Sequence, residues 1–76
     1  MNRDIIHNVI ARALPEVFLK SILNTVSMER ITYFFNNRDV DVYFVSNGIT
    51  ISYDGKILSE DVQSVEDIKN CMKAIA

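Results

Sequence analysis

The chain carries few side chains that could do covalent or metal chemistry. Its 76 residues include one histidine, His7, and one cysteine, Cys71. A structural zinc site needs four ligands, and a nucleophile needs a base beside it, so these two residues alone support neither. Asp39 and Asp41 alternate onto one face of a predicted strand, but two carboxylates fall short of a calcium loop. We therefore expect no catalytic residue, no metal and no cofactor.

His7 and Cys71 have simpler interpretations. His7 lies within an apolar helical pattern, which favours a surface or helix-packing role. Cys71 falls on the apolar stripe of the last predicted helix, whereas a reactive thiolate needs exposure and nearby positive charge. A lone cysteine cannot form an intramolecular disulfide, which predicts a reducing, cytoplasmic location. The longest apolar runs are about four residues, far below the roughly 20 that span a membrane.

Aromatic residues interrupt a polar strand face and suggest binding chemistry. Phe34, Tyr43 and Val45 share one face of the predicted sheet with mostly polar neighbours. Such a face is typical of a docking platform with apolar anchors, which Asp39 and Asp41 would help to orient. Ordinary strand propensity also places aromatic residues on exposed strands, and the first helix could cover this face. These five residues are the predicted partner-binding set.

Charge is unevenly distributed along the chain. The net charge is −2, which does not favour direct binding to nucleic acid. Residues 39–67 contain seven acids and one base, for −6, whereas residues 1–38 contain five bases and three acids, for +2. The acidic segment either steers the protein toward a basic surface or simply forms a solvated exterior.

Helical spacing of apolar residues dominates the first third of the chain. The pattern predicts helices at about 3–13 and 15–27, or one helix kinked at Pro15. Asn2 or Asp4 would cap the first of them. A further helix is predicted at about 64–75, where Ser64 with Asp67 resembles a capping box.

A period of two from Arg30 onward predicts antiparallel strands. The strands are expected at Ile31–Asn36, Asp39–Ser46 and Ile49–Tyr53, with a short edge piece at Lys56–Leu58. The expected two-residue turns are Asn37-Arg38, Asn47-Gly48 and Asp54-Gly55. These turns place Phe34 opposite Asp41 and Thr32 opposite Tyr43. They also gather the apolar residues on one face, namely Ile31, Tyr33, Phe35, Val40, Val42, Phe44, Ile49, Ile51 and Tyr53.

The elements predict one α+β domain over residues 1–76. Its expected order is α-α-β-β-β-α, with helices covering one face of a three- or four-stranded antiparallel meander. We expect a small non-enzymatic protein-binding module, of inhibitor or adaptor type, that docks through the outer sheet face or the first helix. The alternatives are a homodimer formed through helix 3–13 or a sheet edge, and small-ligand binding between helices and sheet beside Tyr33 and Tyr53.

Overall fold

Two helices and five strands follow one another in the computed structural model, which describes residues 2–46 and 48–76. In chain order they are α1 (Arg3–Ala13), β1 (Phe18–Asn24), β2 (Glu29–Phe35), β3 (Arg38–Val45), β4 (Gly48–Tyr53), β5 (Lys56–Val62) and α2 (Val65–Ile75). Each strand pairs antiparallel with its neighbours in sequence, so the sheet is a meander in the order β1-β2-β3-β4-β5. The predicted α+β class is confirmed, with five strands in place of three or four.

Both helices begin at side-chain caps, as expected from the sequence. The Asn2 side chain accepts a hydrogen bond of 2.9 Å from the backbone N–H of Ile5. Ser64 and Asp67 form a reciprocal capping box at the start of α2. Each cap satisfies backbone donors that a helix leaves free in its first turn. The predicted helices at 3–13 and 64–75 are confirmed within one residue.

The predicted helix at 15–27 is wrong, because this segment forms strand β1. The pairing with β2 shifts register between Leu19 and Ser21, which marks a β-bulge at Lys20. A bulge adds one residue to a strand, so side chains three apart can reach the same face. Leu19 and Ile22, opposite Tyr33 and Ile31, share the inner face in this way. Their spacing of three residues therefore imitates a helical stripe.

Both predicted hairpin registers are displaced by two residues. Phe35 pairs with Arg38, so the first loop is Asn36-Asn37, with φ of 56° and 63° at its two residues, and not Asn37-Arg38. Val45 pairs with Gly48, so Gly48 begins β4. The predicted turn residue Asn47 lies outside the described residues. The third turn, Asp54-Gly55, is confirmed, with φ of 53° and 79°.

A displacement by two residues keeps every side chain on its predicted face. The apolar residues predicted to face the helices accordingly contribute to the core or pack against it. Ile6 and Ile10 of α1, together with Ile68 and Met72 of α2, belong to the same buried cluster. Both helices therefore cover one face of the sheet, and this defines the inner face.

Candidate protein-docking face

The outer face of the sheet is the side opposite the two helices. Strand alternation and register assign to it Phe18, Ser21, Leu23, Arg30, Thr32, Phe34, Asp39, Asp41, Tyr43, Val45, Thr50, Ser52 and Ile57. Lys20, at the bulge, lies on the same side through its contact with the Phe34 ring. No helix of the described chain covers this side, because the buried residues of both helices pack in the core with inner-face residues. Helix 3–13, which the sequence allowed to cover the outer face, therefore leaves it open.

An aromatic pair lies at one end of the outer face. Phe18 of β1 pairs with Phe34 of β2, and their ring centroids are 5.4 Å apart at a tilt of 52°. Phe18 is 56% exposed, whereas Phe34 is half-buried beneath its neighbours. The Nζ of Lys20 lies 5.3 Å from the centre of the Phe34 ring, close enough for a cation–π contact. A compact apolar patch with one cation above it results.

The two predicted orienting carboxylates both have partners within the chain. Asp39 accepts a hydrogen bond of 2.9 Å from Lys20, which reaches across β2 to form this ion pair. Asp41 accepts a hydrogen bond of 2.6 Å from the hydroxyl of Thr32, its neighbour across β2 and β3. The register predicted from sequence is corrected here, because Asp39 and not Asp41 lies opposite Phe34. Satisfied internally, neither carboxylate needs a partner protein to remain in place.

Arg30 lies on the outer face near the start of β2, between Leu23 of β1 and Tyr43 of β3. Its Nε atom is buried and has no hydrogen-bond partner. The three ion pairs among the described residues do not include its guanidinium. Buried polar atoms in native structures normally have partners, so this unsatisfied nitrogen sets Arg30 apart.

The sequence analysis missed Arg30, because the first predicted strand began one residue later, at Ile31. A detectable signal was available. Arg30 precedes Thr32 by two residues, which places it on the same strand face as Thr32 and Phe34. In the structure, Tyr43 lies opposite Arg30. The turns predicted from the sequence had placed it opposite Thr32.

Val45 marks the far end of the outer face and is 43% exposed. Its cross-strand partner is Gly48, which has no side chain to cover it. Six residues along β3 separate Val45 from Asp39, the neighbour of Phe34, a span of about 20 Å in an extended strand. The predicted site residues thus share one face but form a stripe, with Tyr43 between its ends.

A separate groove of about 590 Å³ opens on the inner side of the sheet, between the start of α1 and strands β1 and β2. Its apolar floor consists of Leu19, Ile22, Ile31 and Tyr33. Tyr53, the other wall residue expected for a ligand site, does not line it. Of the two wall residues expected for small-ligand binding between helices and sheet, this groove therefore contains only Tyr33.

His7 and Tyr33 join helix to sheet at this groove. The Nδ1 of His7 and the Tyr33 hydroxyl are 3.1 Å apart and share a hydrogen bond, and the two rings stack with centroids 5.7 Å apart. Burial raises the pKa of Tyr33 above its usual 10.0, so the hydroxyl stays protonated at neutral pH. The pair fastens α1 to β2.

Cys71 is buried in the core, as the sequence predicts. Burial, and then the negative charge of Asp67, raises the pKa of the thiol above its usual 9.0. The neutral thiol is a poor nucleophile. Within residues 2–46 and 48–76, no three metal-ligating side chains converge, and neither helix is long and apolar enough to cross a membrane.

Comparisons with protein-family models, with curated proteins and with solved structures give no match to this chain.

Proposed function

We propose that this chain is a small non-enzymatic protein-binding module, of inhibitor or adaptor type, that docks another protein on its outer sheet face. One observation carries the proposal: this face is left open by both helices and displays Phe18, Phe34 and Tyr43, with Arg30, whose Nε has no hydrogen-bond partner, opposite Tyr43. Aromatic residues and arginine are the types that dominate binding energy at protein interfaces. The single, buried, free cysteine fits a cytoplasmic setting.

The polar groups of the face indicate the chemistry of the partner. Lys20 compensates the charge of Asp39, so Asp39 contributes little attraction for a basic surface, whereas Asp41 is hydrogen-bonded to the neutral hydroxyl of Thr32 and keeps its charge. Arg30 has no carboxylate of its own. A complementary surface would offer apolar side chains to the aromatic residues and one carboxylate to Arg30. An arginine–carboxylate pair is also among the stronger hydrogen-bonded contacts when water is excluded.

The first helix is less suited to docking. Ile6 and Ile10 are fully buried in the core, and Ile5, which is 42% exposed, is the large apolar side chain that α1 leaves at the surface. A single exposed isoleucine does not form a patch of interface size. The outer face, in contrast, presents several large side chains at neighbouring rungs.

The experiment compares capture of a partner from lysate of the native host by four immobilised proteins. These are the wild type, a Phe34→Asp/Tyr43→Asp double variant, an Ile57→Asp variant and an Ile5→Asp variant. Ile57 is 58% exposed at the far edge of the same face, so it is a control matched in chemistry and exposure. Circular dichroism establishes that each variant is folded.

The proposal predicts a protein that the wild type and the Ile57→Asp variant retain and the double variant loses. Each aromatic anchor, when truncated singly to alanine, should weaken binding of that protein by about 2 kcal/mol, or roughly 30-fold. Retention by the double variant together with loss by Ile5→Asp would move the site to α1 and overturn the proposal.

A further inference from the structure

Both edge strands of the sheet carry a bulge, but the two edges differ in the charged residues that protect them against pairing. β5, at one edge, carries Lys56, Glu60 and Asp61, charged residues that discourage addition of another strand. All seven residues of β1, at the other edge, are exposed. Four of them are large and apolar: Phe18 (56% exposed), Leu19 (45%), Ile22 (51%) and Leu23 (39%). β1 thus has the composition of an edge that another strand can join.

Lysine is a common guard of exposed edges, but Lys20 does not guard β1. Its side chain turns back over the Phe34 ring and pairs with Asp39 on β3, two strands away from the edge. This contact holds the ammonium group of Lys20, the only charged group of β1, away from the free edge of the strand. The carboxylate of Asp39 compensates its charge. A strand approaching the edge would meet apolar side chains and a hydroxyl, with no unpaired charge.

The order of apolar and polar residues in β1 is the same in both directions along the strand. Residues 18–23 are apolar, apolar, polar, polar, apolar, apolar, with Lys20 and Ser21 at the centre. An antiparallel copy of the same strand therefore aligns Phe18 with Leu23 and Leu19 with Ile22. The pairing also respects the faces, because Leu19 and Ile22 point inward while Phe18 and Leu23 lie on the outer side. The bulge makes this possible by letting Lys20 and Ser21 occupy one position at the symmetry axis.

From these observations we infer that the chain forms a two-fold symmetric homodimer by antiparallel pairing of β1 with β1 of a second copy. The product is one ten-stranded sheet whose two outer edges are the charged β5 strands. Because the unprotected edge is used up, the assembly closes at two copies and does not continue into a fibre. This inference depends on the edge and not on the proposed docking of another protein.

The available area is sufficient for such a dimer. With about 200 Å² for a fully exposed large apolar residue, the four β1 residues offer on the order of 400 Å² per protomer. Complete burial of this surface on both copies would remove on the order of 800 Å² from water, which is the upper bound for these side chains. The paired backbones add to this, which brings the total near the roughly 1,000 Å² that marks a specific interface.

The first test is the mass in solution, measured by sedimentation over a range of protein concentrations. The wild type should be a dimer, and Ile22→Asp should raise the dissociation constant of the dimer by about 30-fold or more. Ile57→Asp, which alters an equally exposed isoleucine on β5, should leave it unchanged. A wild type that is monomeric at every concentration, or a dimer lost through Ile57→Asp and not Ile22→Asp, would overturn the inference.

Disulfide cross-linking tests the geometry of the pairing between the two β1 strands without a substitution that disrupts the interface. In a Cys71→Ala background, Ser21→Cys places two cysteines beside the two-fold axis, each opposite Lys20 of the other copy and one residue from direct opposition, at a Cα spacing of roughly 6 Å that a disulfide can bridge. Oxidised glutathione should convert this variant into a covalent dimer. Ser59→Cys on β5 should form no covalent dimer under the same conditions. Efficient cross-linking of Ser59→Cys with none for Ser21→Cys would contradict pairing through β1.

Discussion

The contact between His7 and Tyr33 supports a quantitative prediction about the attachment of α1 to the sheet. Tyr33 is 1% exposed, and its hydroxyl shares a 3.1 Å hydrogen bond with His7. Tyr33→Phe removes that bond and leaves the ring, so it should lower the free energy of unfolding by about 1 kcal/mol. His7→Ala removes the bond and the ring stacking as well, and should lower it by about 1–2 kcal/mol.

The hydrogen bond is isolated by a double-mutant cycle, with unfolding followed in urea by circular dichroism. Once Tyr33 is Phe, His7→Ala has no hydrogen bond left to break, so the two changes should couple by about 1 kcal/mol. Tyr53→Phe, on a half-buried tyrosine outside the groove, is the matched control and should change stability by less than about 0.5 kcal/mol. Coupling below about 0.3 kcal/mol would refute the contact as a stabilising bond.

The same tyrosine makes a prediction about alkaline pH. Burial raises the pKa of Tyr33 in the folded state, so the folded chain holds this proton more tightly than the unfolded chain. Its contribution to stability is therefore complete below about pH 10 and falls as pH rises through the folded pKa. Tyr33→Phe should make the alkaline loss of unfolding free energy shallower than in the wild type. An identical alkaline profile in both proteins would contradict this assignment.

Three further predictions concern the fold and can be checked by urea unfolding. Leu14→Ala, at a fully buried position after α1, should cost about 2–5 kcal/mol, whereas Val26→Ala, at a fully exposed position, should change stability by less than about 0.5 kcal/mol. Ser64→Ala should cost about 1 kcal/mol through loss of the α2 cap, and an unchanged midpoint would contradict the capping role. Asn37→Gly should stabilise the β2–β3 hairpin by a few tenths of a kcal/mol or more, because φ there is 63°, and a lower midpoint would argue against this loop conformation.

Much of the fold could be predicted from local pattern. The caps at Asn2 and Ser64 and the Asp54-Gly55 turn each follow from side-chain chemistry within a few residues. The sequence pattern also predicts which strand residues face inward and which face outward, because an error of two residues in a hairpin register does not change the face of a side chain. The exact hairpin register does not follow from local pattern, because Asn47-Gly48 has the composition of a two-residue turn although Gly48 begins β4.

The segment at 15–27 shows why periodicity can mislead. A bulge at Lys20 spaces Leu19 and Ile22 three residues apart on one strand face, which is also the spacing of a helical face. No local feature of this segment distinguishes a helix from a bulged strand. What selects the strand is pairing with β2, a contact between residues that are distant in the chain.

The candidate site was predicted in part. Phe34, Tyr43 and Val45 do lie on the open face, but Asp39 and Asp41 are held by Lys20 and Thr32. Lys20 was assigned to a helix in the sequence analysis, so its reach to Asp39 could not be anticipated. The contribution of Phe18 was missed for the same reason. Both omissions trace to the one misassigned segment.

The most direct measurement of the central claim is photo-cross-linking on the outer face. A benzophenone side chain is placed at Tyr43 in one protein and at Ile57 in another, and each is irradiated in lysate of the native host. Docking on the aromatic stripe predicts an adduct between the Tyr43-substituted chain and a second, different protein, identified by mass spectrometry, and no such adduct from Ile57. An adduct with that protein from Ile57 alone, or from neither position while the wild type still captures it, would contradict the aromatic stripe around Tyr43 as the docking surface.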